Sequence, residues 1–138
     1  MKLNAQYGDG DTSFLAAGGI DGIHKLVENF YHKMDTLEFA QTIREMHPAD
    51  LTLSIDKLAL FLCGWLGGPR LYKEKYGTIN IPKIHAPFSI DDPDANAWLE
   101  CMRRAISEQN YADDFCDYLI VQLRIPASRI LAYKNKSA

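Results

Sequence analysis

The decapeptide IPKIHAPFSI at 81–90 holds a single imidazole, His85, in an apolar run with proline two residues later. An imidazole buried in such surroundings needs a hydrogen-bond partner or a metal, and only Lys83 and Ser89 near it are polar. His47 stands in MHPAD at 46–50. Tyr31, Trp65 and Trp98 fall within apolar-periodic stretches, where a phenol O–H or an indole N–H also needs a partner once buried. Taken singly, each of these residues reads more readily as a packed or surface side chain with a satisfied tip than as a ligand. Taken together, they supply what a haem pocket requires: one nitrogen for iron, apolar walls and a few polar donors on the opposite side. Other familiar chemistries lack their signatures. The chain has no HExxH, no Gly-x-Ser-x-Gly, no GxGxxG or Walker loop and no EF-hand loop, and no histidine pair at helical spacing with a carboxylate for a three-ligand zinc site.

Helices must position these groups. In IDGIHKLVENFYHKM the residues Ile23, Leu26, Val27, Phe30, Tyr31 and Met34 form one helical stripe, with Asp21 as the expected N-cap. A second helix is expected from near Ser54, carrying Ile55, Leu58, Phe61, Leu62, Trp65 and Leu66 on one face. It should stop at Gly67-Gly68-Pro69, where glycine can cap and proline blocks continuation. A third follows Asp91-Asp92, with Pro93 at the first helical position and Trp98, Leu99, Met102, Ala105 and Ile106 on one side. The fourth runs from about Ala112 through Phe115, Cys116, Leu119, Ile120 and Leu123 until Pro126 ends or kinks it, with a short continuation in SRILAY. Shorter helical turns are expected near 37–45 and 70–76. The one strand candidate, GTINIP at 77–82, is too short to find a sheet, so the fold expected is all-α.

A chain of 138 residues suits a single domain, 1–138, with 1–14 as an N-terminal extension and 134–138 as a loose tail. Its 47% apolar and 24% charged residues are ordinary for a soluble globular protein, and a net charge of −3 offers no basic footprint for nucleic acid. MKLNAQYGDGDTS lacks an apolar signal-peptide core and no 18-residue apolar run exists, so a cytoplasmic protein without membrane contact is expected. Cys63, Cys101 and Cys116 lack a CxxC pair and sit in apolar helical patterns, which reads as reduced core thiols.

Several stretches in order carry a specific likeness: FY at 30–31, MHPADL at 46–51, FLCGWLGGPRLY at 61–72, HAPF at 85–88 and AWLECM at 97–102. By these the chain resembles group II truncated haemoglobins over roughly residues 15–125. The pairs Gly18-Gly19 and Gly67-Gly68 look like the glycine motifs with which this family shortens the globin fold. The resemblance implies a truncated globin, a two-over-two helical sandwich around haem b. It also implies His85 as proximal iron ligand, with Ile84 and Phe88 packing beside the porphyrin and the second ring nitrogen donating to a backbone carbonyl or water. Tyr31, His47 and Trp98 match the distal residues that hold a bound ligand, Leu58 and Leu62 the positions lining the distal cavity, and Phe30 and Phe61 haem contacts. Lys57 and Tyr72 match positions near the haem carboxylates. Many relatives carry arginine just before the proximal histidine, where this chain has Ile84 with Lys83 next to it.

What the resemblance implies functionally is reversible binding of dioxygen and other diatomics such as carbon monoxide and nitric oxide. It permits redox chemistry, either nitric oxide dioxygenation or peroxide turnover. Such turnover requires a reductase, not identified by sequence, and the assembly expected is a monomer or homodimer. Tyr31 or His47 acting as a sixth iron ligand stays open, as does a haem-free helical interaction module in which the polar aromatics are mere core.

Overall fold

The computed structural model describes residues 6–85, 88 and 90–137, and every regular element among them is helical. In chain order these are α1 (Thr12–Ala16), α2 (Gly19–Thr36), a 3-10 turn (Glu38–Ala40) running into α3 (Gln41–Glu45), and α4 (Thr52–Trp65). They continue as α5 (Leu71–Tyr76), α6 (Ile81–His85), α7 (Asp92–Ser107) and α8 (Asp113–Ser137). GTINIP is not a strand: 77–80 is irregular and its last two residues open α6.

The predicted stripe of α2 is fully realised, with Ile23, Leu26, Val27, Phe30, Tyr31 and Met34 all buried. Its start differs from expectation. Gly18, at φ 92°, caps the helix, and Asp21 lies within the first turn, where its charge favours the positive helix end. The turn before it is tight, since a Cβ on Gly22 would lie 2.2 Å from the Ala17 carbonyl oxygen.

Helix α4 begins at Thr52, two residues before the expected Ser54, with the Asp50 carboxylate accepting from the Thr52 backbone N–H at 2.9 Å and its hydroxyl at 2.7 Å. It ends where glycine was expected to end it. Gly67 has φ 94°, and a Cβ there would stand 1.9 Å from the Gly10 carbonyl oxygen. A Cβ on Gly68 would meet the Phe14 ring at 2.4 Å. The pair thus turns the chain and leaves room for the N-terminal segment, whose Phe14 N–H donates to Leu66 O at 3.0 Å.

Helix α7 opens with a reciprocal cap: Asp91 Oδ1 accepts from the Asp94 N–H, and Asp94 Oδ2 accepts from the Asp91 N–H. Pro93 occupies the second helical position rather than the first. Pro126 neither ends α8 nor leaves SRILAY as a separate piece; the helix continues to Ser137. Proline there only removes the N–H that would reach the Gln122 carbonyl, and the long helix tolerates that loss on a partly covered side.

Helix α2 lies between α4 and α7, α7 packs on α8, α6 on α8 and α5 on α4. The core between them holds Phe30, Phe115, Ile23, Leu26, Met34, Met102, Ile106 and Leu119, each less than 2% exposed or at that limit. Cys63, Cys101 and Cys116 are free, and burial pushes the Cys101 thiol up to about 11, so it stays protonated. No helix among the described residues is long and apolar enough to cross a membrane.

Candidate functional site

Helix α6 is five residues long and ends on His85. Asn80 Oδ1 accepts from the Lys83 N–H at 3.0 Å, which satisfies a donor in its first turn. His85 is half-buried, and its Nδ1–H donates to the Ile81 carbonyl oxygen at 2.7 Å. A carbonyl only accepts, so the proton sits on Nδ1 and Nε2 carries the lone pair. Phe88 follows with its N–H on His85 O at 3.1 Å and its side chain 39% exposed. The Ile84 side chain and Ala86-Pro87, both invoked in the sequence reading, lie outside the described residues.

Across from α6, helices α2 and α7 bring an aromatic row together. The Phe30 ring lies 4.9 Å from that of Tyr31 and 5.2 Å from that of Trp98, both edge-on, and Tyr31 lies 5.5 Å from His47. Tyr31 is 6% exposed, and burial drives its phenol pKa well up, so it remains an O–H donor. Neither the Tyr31 hydroxyl nor the Trp98 indole N–H has a hydrogen-bond partner among the described residues. No wholly enclosed side-chain atom there is left unpaired. Both tips therefore open onto free volume.

His47 behaves differently from the donor the sequence suggests. Its Nδ1–H donates to Ile43 O at 2.8 Å, leaving Nε2 as an acceptor. Burial holds its pKa below the usual histidine value, opposed by the Ile43 hydrogen bond and assisted by the charge of Arg44. In that neutral form it accepts and cannot donate to a ligand. Sequence reasoning missed Arg44, which sets this turn: its guanidinium donates to Asp35 Oδ1 at 2.8 Å and to the carbonyls of Pro48 and Ala49 at 3.0 Å each. A lone arginine in a short helix just before HPAD was the available signal.

The apolar face of α4 is wider than what the protein covers. Leu62 and Leu66 are buried, with Leu62 at 3% exposure, whereas Ile55, Leu58, Phe61 and Trp65 remain half-covered. These four follow one another at helical spacing and form a continuous greasy edge. A cleft of about 620 Å³ opens beside it, between Phe61 and Trp65 of α4, Ile79–Ile81, and Tyr118, Gln122 and Ile125 of α8. It includes Phe61 of the predicted set and adjoins α6 through Ile81, but His85 and Tyr31 are not among its lining residues. At the outer end of α4 the Lys57 ammonium lies 5.3 Å from the Tyr76 ring centre, and Tyr72 packs 6.3 Å from Phe61.

The described residues contain no cluster of three or more His, Cys, Asp or Glu able to hold a bare ion. The free Nε2 of His85, a half-covered apolar face and the unpartnered tips of Tyr31 and Trp98 instead suit a metal carried in by a large flat ligand that supplies its own remaining donors.

Comparison with known proteins agrees. The family described as bacterial-like globin matches residues 12–124. Group 2 truncated hemoglobin YjbI of Bacillus subtilis is 30% identical over 113 residues, 82% of this chain and 83% of that protein. Among solved structures, the group II 2-on-2 hemoglobin of Agrobacterium tumefaciens aligns with a TM-score of 0.82 at 31% identity, covering 94% of this chain and 97% of that one. The cold-adapted truncated hemoglobin of the Antarctic marine bacterium Pseudoalteromonas haloplanktis gives a TM-score of 0.83 at 30% identity, over 86% and 96%.

Proposed function

This chain belongs to the bacterial-like globins, and from that membership we propose that it holds haem b on His85 and retains dioxygen with Tyr31 and Trp98. Its long helices form the two-over-two sandwich of the truncated globins, and binding of haem and small gaseous ligands belongs to that fold and family.

Bound in this pocket, haem b supplies an iron that takes up a diatomic molecule and passes partial negative charge onto it. The chain's own residues do the rest. His85 is fixed in one tautomer by Ile81 O, so its Nε2 is oriented and made more basic before any ligand arrives. Ile55, Leu58, Phe61 and Trp65 would supply the apolar wall of the site. Tyr31 and Trp98 would offer their O–H and N–H to that charge. Each hydrogen bond contributes on the order of 1 kcal/mol net, and more in a dry pocket. His47, with its ring 5.5 Å from that of Tyr31 and Nε2 left as an acceptor, would stand on the Tyr31 side of the site. Lys57 and Tyr72 would be the residues to hold the haem carboxylates.

The observation that carries this reading is the Tyr31 hydroxyl, 6% exposed in its residue yet unpartnered, beside an apolar helix face left half-covered. Haem titration of the purified chain tests it. A Soret band saturating at one haem per chain is expected, and no Soret shift on adding haem would overturn it.

Two donors on one ligand slow its release, which suits retention or chemistry better than bulk delivery. A second reading follows: nitric oxide dioxygenation or peroxide turnover in the cytoplasm, by a monomer or homodimer served by a separate reductase. Stopped-flow mixing of the oxygenated protein with nitric oxide separates the two, because a dioxygenase yields stoichiometric nitrate and ferric haem rapidly and a passive binder does not.

A further inference from the structure

A row of rings leads outward from the α4 face to a carboxylate. Phe61, which lines the cleft, meets the Tyr72 ring at 6.3 Å and 89°, and Tyr72 lies 5.1 Å from Tyr76. Tyr76 is half-buried on α5, and its hydroxyl donates to Asp56 Oδ2 at 2.6 Å. Lys75 donates to the same oxygen at 2.8 Å, which fixes the carboxylate in place. Phenols are oxidised most readily when the proton can leave with the electron, because an oxidised phenol is a far stronger acid than a carboxylic acid. A short hydrogen bond to a positioned carboxylate provides that route, and ring-to-ring spacings of this size make each electron step short.

We propose that Tyr76 is the residue through which oxidising equivalents from hydrogen peroxide leave the haem pocket, with Asp56 receiving its phenolic proton. The proposal rests on the haem-binding reading above. Reduction of one peroxide to two waters consumes two electrons and two protons. Each electron is drawn from Tyr76 by way of Tyr72, leaving a neutral phenoxyl radical, while its proton passes to Asp56 and on to solvent. A small phenolic reductant at the surface then returns one electron and one proton to each phenoxyl, leaving as its own phenoxyl radical and restoring Tyr76, so the chain is unchanged over the cycle.

A competing exit exists in the same fold. Tyr7 donates to Asp114 Oδ1 at 2.8 Å and its ring lies 5.1 Å from Tyr118, which also lines the cleft. Tyr76 is favoured because its hydrogen bond is shorter and partly shielded, and because Lys75 anchors the acceptor.

Freeze-quenched electron paramagnetic resonance on ferric, haem-loaded protein mixed with hydrogen peroxide tests this. The unaltered chain should show a tyrosyl radical that Tyr76→Phe loses, Asp56→Asn weakens and Asp56→Glu restores, while Tyr7→Phe keeps it. Unaltered ferric Soret spectra and melting temperatures across the set establish that each variant is folded and loaded. A signal as strong in Tyr76→Phe as in the unaltered chain, or one lost in Tyr7→Phe instead, overturns the proposal alone. A Soret band that peroxide leaves unchanged in the unaltered chain overturns peroxide turnover and this proposal with it.

Discussion

At the residue scale, His85 has one nitrogen committed to the Ile81 carbonyl and the other free, and under the proposed reading its substitution removes the bond to iron. His85→Ala should lose haem faster to an apoglobin acceptor and change its ferrous and carbonyl spectra; unchanged spectra would contradict the proximal assignment. Tyr31 and Trp98 are opposite cases, because their polar tips have nothing to bind until a ligand arrives. Tyr31→Phe and Trp98→Phe should each speed dioxygen dissociation by about fivefold or more, the rate equivalent of one hydrogen bond. The double variant should exceed either single one when both serve the same ligand, and three identical off-rates would argue against this pocket. These residues could be nominated from type and spacing, but His47 could not be assigned a role that way. Whether it donates or accepts depends on which of its nitrogens the Ile43 carbonyl occupies, and that is a property of the folded turn.

At the scale of elements, the glycine pair after α4 combines two demands. Gly67 needs a positive φ and Gly68 a missing Cβ, because the Gly10 carbonyl and the Phe14 ring pass directly over them. Gly67→Ala should therefore destabilise the fold by well over about 1 kcal/mol, the level at which an incompatible φ alone is felt. Gly77→Ala, with positive φ but nothing within 4 Å, should cost less. Thermal melts of the two variants check the order, and a smaller loss for Gly67→Ala would contradict the contact. The α2 stripe was legible because apolar periodicity reports a buried face directly, whereas on α4 the same periodicity marked a face of which Ile55, Leu58, Phe61 and Trp65 stay half-covered. Pro126 does not end α8, since proline marks a helix end only when losing one hydrogen bond outweighs what the rest of the helix gains, and α8 packs against both α6 and α7.

For the molecule as a whole, acid stability offers a measurable signature. Arg103 and Arg104 both donate to Glu100 and hold its pKa down at about 2, against an ordinary 4.5. A depressed carboxylate favours the folded state above its unfolded pKa, so this contribution is complete above about pH 4.5 and is lost as pH falls toward 2. The glutamate and both arginines are substantially solvated, which keeps the effect below about 1 kcal/mol. Glu100→Gln should flatten the acid limb of the stability profile between those pH values and leave neutral pH nearly unchanged. An identical profile would show that solvent screens the pair completely.

By itself the sequence determined the helical class, the faces that would be buried and the residue types that a haem site uses, because periodicity and side-chain chemistry are local properties. Only the tertiary structure decided which of those side chains are enclosed. Trp65 and Tyr31 read alike along the chain, as polar-tipped aromatics on apolar stripes. Packing buries Tyr31 nearly completely beside His47 and Phe30 with its hydroxyl unpaired, and leaves Trp65 as half-covered wall of the cleft. The difference arises because cover for a side chain comes from other helices, and α2 is packed against both α4 and α7.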